Sequence, residues 1–512
     1  MPEAGKDSMK KQYKVLCITL FALLFLLPVI LTLTNAKPGD IKSIACNPYY
    51  RKIMWFSVYQ ALLSALLSLA VGLPGAWILA NTQFKGKKSV KSIYGIPFIL
   101  PSVLVVLGFV IFYGNNGLLS KLIGKNPHIL YSFKAILLAH VFYNFPVVTT
   151  IVGNAMEKLD SRIEESARNC GAGELKIFFE ITMPRLLKSV LSACCIVFLL
   201  CLSSFAIILI LGGSPKLSTM EVEIYRLAKM DMDISKASSL CIYSTVITAM
   251  VLFLQNTLTD KTNYTEETVH SYSKKLSAFS FIYLILSVLF ILCPVFSIVL
   301  RSFTSASSRA GRLFVSLSAY KNIDLNCLLQ TFLIALGSAS VSTVLALGFM
   351  DYRGILTMLP LVISSAIIGL GYLILCVRIP SFHGALLIMA AHSVINMPFA
   401  LKTIKNVHDK IPNQYKELAC LEGSTDKRYF LSIELPILKN AIISSFLLCF
   451  SLSAGELNAT AILGSSKTAT IPMQIKHMIS SYNYQGACAL GTVLTILSFT
   501  VYFIGEKLKE RD

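Results

Sequence analysis

Two stretches of this 512-residue chain carry the same residue types at the same spacing. Glu165, Ala167 and Gly171 are followed by Ile181 and Pro184, and Glu417, Ala419 and Gly423 by Ile433 and Pro436. The set is suited to mechanics rather than to bond making: a short helix, a Gly able to turn the chain through positive φ, a second helix, and a Pro that opens the next one. Other candidates for chemistry are few. Within apolar runs stand His140 with Asn144 and His392 with Asn396, each pair four apart and so on one helix face, and a single carboxylate, Glu456. The nearest string to a phosphate-cradling loop, Gly86-Lys-Lys-Ser89, lacks the leading Gly. HExxH, GxSxG and Cys/His clusters are missing, so no metal site, cofactor or catalytic centre is expected in the chain itself.

The elements that must hold these residues are membrane helices. Hydrophobic residues make up 55% of the chain and charged ones 14%, with mean hydropathy +0.67, whereas soluble chains carry about 25% charged residues. The net charge of +19 fits basic loops beside an anionic leaflet better than nucleic acid. Twelve apolar runs are long enough to span. They lie near Val15–Leu33, Met54–Ala80, Ile93–Tyr113, Ala135–Val152, Ser189–Leu211 and Ala237–Leu254, then near Leu276–Leu300, Cys327–Met350, Ile355–Cys376, Gly384–Leu401, Asn440–Leu463 and Ala487–Ile504. The first, preceded by Lys10, Lys11 and Lys14, is too long for a signal peptide and no A-x-A site follows it, so it reads as a retained helix. Lys and Arg are most numerous in the long loops 153–188 and 402–439, with six and seven, which places both loops, the N-terminus and the C-terminus on the cytoplasmic side. Most of the 13 cysteines fall inside apolar runs and read as small core residues; Cys46, Cys327 and Cys488 are the three near the outer face that could pair.

The two loops belong to an internal repeat. Ala139-His140, Asn144 and Pro146 return 252 residues later as Ala391-His392, Asn396 and Pro398, and the same offset carries through both loops to Leu211-Gly212 and Leu463-Gly464. It then slips to 251, where Thr219 and Ile224 match Thr470 and Ile475. The chain therefore reads as an all-α integral membrane protein of two homologous six-helix halves, 1–258 and 259–512, in parallel orientation, an arrangement that puts a pathway between the halves. The buried His and Asn pairs either glue helices together or line that pathway. Glu456, near the outer leaflet, either caps and snorkels or attracts cations to an outer vestibule. The outer segments 212–236 and 464–486 carry apolar residues at helical spacing and read as a docking face for a soluble protein or as a reentrant cap. A proton- or sodium-coupled carrier would keep more ionisable groups at mid-depth, and the loop after the second run lacks the G-x3-D-R pattern of major facilitator carriers.

The repeated loop resembles the EAA loop (E-A-A-x3-G-x9-I-x-L-P) of permease subunits in binding-protein-dependent ABC importers. Ser166 and Leu418 replace its middle Ala, and Met183 replaces its Leu in the first copy. This resemblance implies the type I ABC importer permease fold, with Glu165, Ala167, Gly171, Ile181, Pro184, Glu417, Ala419, Gly423, Ile433 and Pro436 coupling the chain to two copies of an ATPase subunit that binds ATP and Mg. It also implies cargo delivered by an extracytoplasmic solute-binding protein, and a place in the bacterial inner membrane among lipids. The segment Ala135–Pro146, the string Leu211-Gly-Gly-Ser-Pro215 with Glu221-Val-Glu-Ile-Tyr225, and the fused two-permease layout are similar to thiamine ABC permeases. Ferric-iron permeases share the length and the fusion. The pathway candidates are then His140, Asn144, His392, Asn396 and Glu456, with Tyr482 and Tyr484 as cation-π partners for a cationic aromatic solute.

Overall fold

A computed structural model of the chain describes residues 8–115, 117–126, 128–213, 216–258, 276–306, 313–352, 357, 359–379, 384–465 and 468–509. Among them, 11 helices are long and apolar enough to cross a membrane: Tyr13–Thr34, Pro48–Asn81, Ser102–Ile123, Phe133–Glu157, Phe178–Leu202, Ile234–Leu258, Ala278–Ser302, Leu325–Phe349, Gly384–His408, Asp426–Ala454 and Tyr484–Gly505. The ninth expected span is the exception. Its first residues, Ile355 and Leu356, lie outside the described ones, as does residue 259, where the second half was expected to begin. The rest forms a four-residue helix, Leu359–Val362, and a 14-residue helix, Ser365–Arg378. At about 1.5 Å per residue the latter covers only some two thirds of a bilayer core.

The third span is broken in the same place. Helix Lys87–Ile99 ends at Leu100, and Pro101, which has no amide to donate, precedes helix Ser102–Tyr113. In the second half Ser364 does the work of Pro101 by accepting the Ala366 amide at 3.1 Å. The fifth and eleventh spans also stop short of their expected ends, at Ser203 and Gly455, and resume as the six-residue helices Ala206–Leu211 and Asn458–Leu463. One antiparallel ribbon, Thr304–Ala306 with Leu313–Val315, is the only strand pair among the described residues. All 13 cysteines are free, so Cys46, Cys327 and Cys488 form no disulfide.

The halves exchange their first helices. The first span packs on the eighth and ninth: Thr32 Oγ1 donates to the Ile367 carbonyl at 3.2 Å, and the Tyr372 hydroxyl to the Leu24 carbonyl at 2.7 Å. The seventh span packs on the broken third, with Ser297 Oγ donating to the Gly108 carbonyl at 3.4 Å. Both crossings are made by a proline carbonyl against a glycine. A Cβ on Gly371 would lie 2.1 Å from the Pro28 oxygen, and one on Gly108 would lie 2.8 Å from that of Pro294. Only Gly lets the backbones approach this closely.

Packing also reveals the repeat upstream of the fourth span. Ser57 Oγ accepts the Met220 amide and Thr331 Oγ1 the Ile471 amide, both at 2.9 Å. Ser68 Oγ donates to the Ser64 carbonyl, and Ser342 Oγ to that of Ser338. Ser57 and Thr331, Ser64 and Ser338, and Ser68 and Ser342 each stand 274 residues apart, so the second and eighth spans are equivalent in this register rather than in that of the loops.

Candidate functional site

Each repeated loop is built around a left-handed glycine. The first helix, Ser161–Asn169, starts with Asp160 accepting the Arg162 amide at 3.0 Å and ends at Gly171, φ +83°. Beyond it the Ala172 amide reaches back to the Ala167 carbonyl and the Gly171 amide to that of Arg168, both at 3.0 Å. The second loop repeats this after helix Asn413–Leu421: Gly423 has φ +73°, Ser424 donates to Ala419 at 2.8 Å and Gly423 to Cys420 at 3.0 Å. This pair of bonds is the Schellman stop. The spacing of Ala167 to Gly171 and of Ala419 to Gly423 is thus the spacing from the carbonyl that closes the cap to the residue that must turn left-handed.

After the turn each chain re-enters the membrane through one turn of π-helix, Phe178–Thr182 and Phe430–Glu434, which contain Ile181 and Ile433. Pro184 and Pro436 follow at the second position of the next α-helix, where a missing amide shifts the ladder: Met183 donates to Phe178 and Leu435 to Phe430, five residues back. Glu165 and Glu417 are exposed, Ala167 and the two isoleucines half-buried, and Ala419 buried. Large apolar side chains stand free on the same surfaces. Leu421 is 84% and Leu418 58% exposed, and Ile163, Phe179 and Leu431 are also exposed. The start of the first span lies at this face too, where Lys14 pairs with Asp351 at 3.0 Å.

The buried polar pairs are held within their own halves. His140 Nδ1 meets Ser64 Oγ at 2.9 Å, and Asn144 Nδ2 donates to the His140 carbonyl at 2.8 Å. His392 is bonded at both nitrogens, to Ser453 Oγ at 2.8 Å and to Thr460 Oγ1 at 3.0 Å. His140 Nε2 has no partner, because Ile208 occupies the position equivalent to Thr460. The Asn396 carbonyl accepts from Cys449 Sγ at 3.5 Å. All four side chains are at most 4% exposed. Glu456 is not inside a continuous span. Half-buried in the break after Ala454, it caps helix Asn458–Leu463 by accepting the Asn458 amide at 3.0 Å and that of Ala459 at 3.2 Å.

At the end opposite the loops, the two outer segments form helices Met220–Lys229 and Ile471–Ser480, which pack inward. Tyr225 and Lys476, equivalent in the repeat at offset 251, touch each other: Nζ donates to the Tyr225 hydroxyl at 3.0 Å and sits 4.6 Å from the ring centroid. Residues equivalent by the repeat can meet only on its pseudo-twofold axis, so these helices cross over the middle of the molecule. Lys229 extends the closure by donating to the Ile462 and Gly464 carbonyls at 3.1 and 2.9 Å. Glu221, 1% exposed, accepts from Ser364 of the other half and lies 3.4 Å from Ser244 Oγ. Burial raises its carboxyl from 4.5 to about 7. Sequence reasoning missed Glu221 because it stands outside the apolar runs. Tyr482 and Tyr484 meet edge to face at 6.1 Å on a cavity of about 670 Å³ shared with Tyr131, Lys121 and Arg301.

Residues 72–264 and 278–511 each match the family of the binding-protein-dependent transport system inner membrane component. The thiamine transport system permease protein ThiP of Brucella abortus (strain 2308) is 25% identical over 486 residues, 90% of this chain and 88% of its own length. ThiP of Escherichia coli (strain K12) is 25% identical over 508 residues, 93% and 92% of the two chains. The probable sulfate transport system permease protein cysT of Prototheca wickerhamii aligns over 220 residues at 26% identity, covering 43% of this chain and 86% of itself, as a single half would. Two family matches on a twofold repeat of membrane helices make this chain a fused, two-permease member of the binding-protein-dependent transport system inner membrane components.

Proposed function

We propose that the chain is the membrane-spanning subunit of an ATP-driven importer for thiamine or its phosphates, with the two loops docking one ATPase subunit each. The observation that carries this reading is the pair of equivalent Schellman-capped loops on one face, with leucines and a phenylalanine exposed to solvent beside them. In this reading the loop face is cytoplasmic, as are both termini. The ATPases supply ATP and Mg chemistry, and an extracytoplasmic binding protein delivers cargo to the end crossed by Tyr225 and Lys476.

Thiamine is favoured over iron because the relatives that match nine tenths of this chain bear its name. Solute passes between the halves once the helices over the axis part. His140, Asn144, His392 and Asn396 hold helices together in this scheme, since their bonds are spent within each half. Glu456 is the membrane-depth carboxylate placed to attract a cation, being only half-buried. Cross-linking through cysteines placed at Leu418 and Ile163 tests the docking. Each should capture one ATPase subunit in membranes, and capture of none would overturn the assignment of the loops. The purified chain alone should hydrolyse no ATP.

A further inference from the structure

Three ligating side chains converge beneath the second loop. His408 ends the tenth span, Asp351 follows the eighth, and Glu434 closes the π-helical turn leading into the eleventh. His408 Nε2 lies 2.9 Å from Glu434 Oε1 and 3.4 Å from Asp351 Oδ1, and one ligand atom of each residue falls within 4.8 Å of the other two. A tetrahedral ion with bonds of about 2.0 to 2.1 Å holds its ligand atoms about 3.3 Å apart, so these atoms need little movement to bind one.

Two further observations point inward. Glu434 is 3% exposed and its Oε2 has no hydrogen-bond partner, a costly state for a buried carboxylate oxygen. His408 Nδ1 is likewise buried without a hydrogen bond and faces Asp409 Oδ1 at 3.6 Å. A carboxylate behind a ligating imidazole is the arrangement that fixes the metal-binding tautomer. Three carboxylates, Asp351, Asp409 and Glu434, thus surround His408, and Lys14 Nζ lies 3.0 Å from Asp351 Oδ2.

The repeat supplies an internal comparison. In the registers given above, Asp351, His408 and Glu434 correspond to Trp77, Met156 and Thr182. There Thr182 Oγ1 donates to Glu164 at 2.7 Å and no ligand set exists. The same helices and the same loop are built without the cluster, so the fold does not require it.

We propose that Asp351, His408 and Glu434 form a binding site for a divalent first-row transition-metal ion of the Zn²⁺ class, at the base of the second loop and in one half only. One imidazole with two carboxylates favours such ions over Mg²⁺ or Ca²⁺, which take oxygen alone. The remaining coordination position is open to water. Because the ligands come from the ends of two spans and from the segment leaving the loop, a bound ion ties that loop to the helices above it.

The test is Zn²⁺ binding to the untagged full-length chain in detergent, by calorimetry and by metal analysis after dialysis. Cys46, Cys170 and Cys420 are replaced by Ser throughout, since these exposed thiols could bind Zn²⁺ themselves. One ion per chain is expected, with an X-ray absorption spectrum of nitrogen and oxygen ligands. His408→Ala and Glu434→Gln should each weaken binding at least about 10-fold, as loss of a direct ligand costs no less than loss of an outer partner. Lys14→Met should tighten it, and Met156→Leu should leave it unchanged. Near-isosteric Asp351→Asn serves if His408→Ala fails to fold, as judged by circular dichroism and gel filtration. No Zn²⁺ uptake at micromolar free metal, or equal uptake by folded ligand variants, overturns the site.

Discussion

Replacing Gly171 and Gly423 with Val isolates what the repeated loops need. At both positions a Cβ would meet nothing within 4 Å, so the substitution meets no steric obstacle in the surroundings. The cost is confined to the backbone, where φ of +83° and +73° puts a β-branched side chain in the left-handed region at about 1 to 3 kcal/mol per site. That range corresponds to a roughly 5- to 150-fold shift of the loop away from its capped form. The closing bonds from Ala172 to Ala167 and from Ser424 to Ala419 should be lost while the spans, anchored elsewhere, stay inserted. The assay is co-purification of the ATPase subunit together with uptake of labelled thiamine. The double Val variant should lose both, and Gly171→Asn with Gly423→Asn should retain most of each, because Asn tolerates left-handed φ. Equal function in the Val variant would refute the mechanical role of the loops, and equal loss in the Asn variant would refute the argument from φ.

Other perturbations probe the frame. Gly371→Ala drives a Cβ to 2.1 Å from the Pro28 carbonyl and Gly108→Ala to 2.8 Å from that of Pro294; both should lower stability to unfolding in detergent by about 1 to 3 kcal/mol, Gly371→Ala more. His392→Ala should cost more than His140→Ala, by about 1 kcal/mol in the same melts, since it removes two buried hydrogen bonds where the other removes one along with a ring nitrogen that has none. Glu221 has its carboxyl raised by burial from 4.5 to about 7, so its protonated form favours the folded state; that stability is complete below about pH 4.5 and is lost as pH rises through 7, by up to about 3 kcal/mol. Melting from pH 5 to 8 should show this decline, and Glu221→Gln should flatten it. Glu456→Gln keeps an acceptor for the Asn458 and Ala459 amides and should leave the melt near wild type while slowing thiamine uptake; unchanged uptake would make the residue a cap and nothing more.

The loops were legible in the sequence because their device is local. Helix, left-handed Gly and Pro all act within 20 residues, and duplication showed the pattern twice. The breaks in the spans were legible only in part. Pro101 stands inside an apolar run as a visible helix breaker, although Pro74, Pro97 and Pro146 stand within unbroken helices, and Ser364 starts its helix through a side-chain cap that an apolar count does not register. Gly455-Glu456 lies within an apolar run, yet the preceding helix ends there and the Glu456 carboxylate caps the next one. Contacts over long separations left no trace in the sequence. The swap of the first helices rests on Gly371 against Pro28 and Gly108 against Pro294, and the closure over the axis on Tyr225 against Lys476. The cluster of Asp351, His408 and Glu434 has the same origin, its members being separated by 57 and 26 residues that no ligand spacing rule connects.

The function proposed above has transport through this chain driven by ATP through a partner rather than by an ion gradient. It is tested most directly in proteoliposomes holding the chain with its ATPase subunit, with binding protein and labelled thiamine added outside and ATP enclosed. Uptake should require ATP and the binding protein together, and should persist when a protonophore dissipates the gradient. Uptake by the chain alone, or uptake abolished by the protonophore while ATP is maintained, would contradict the account.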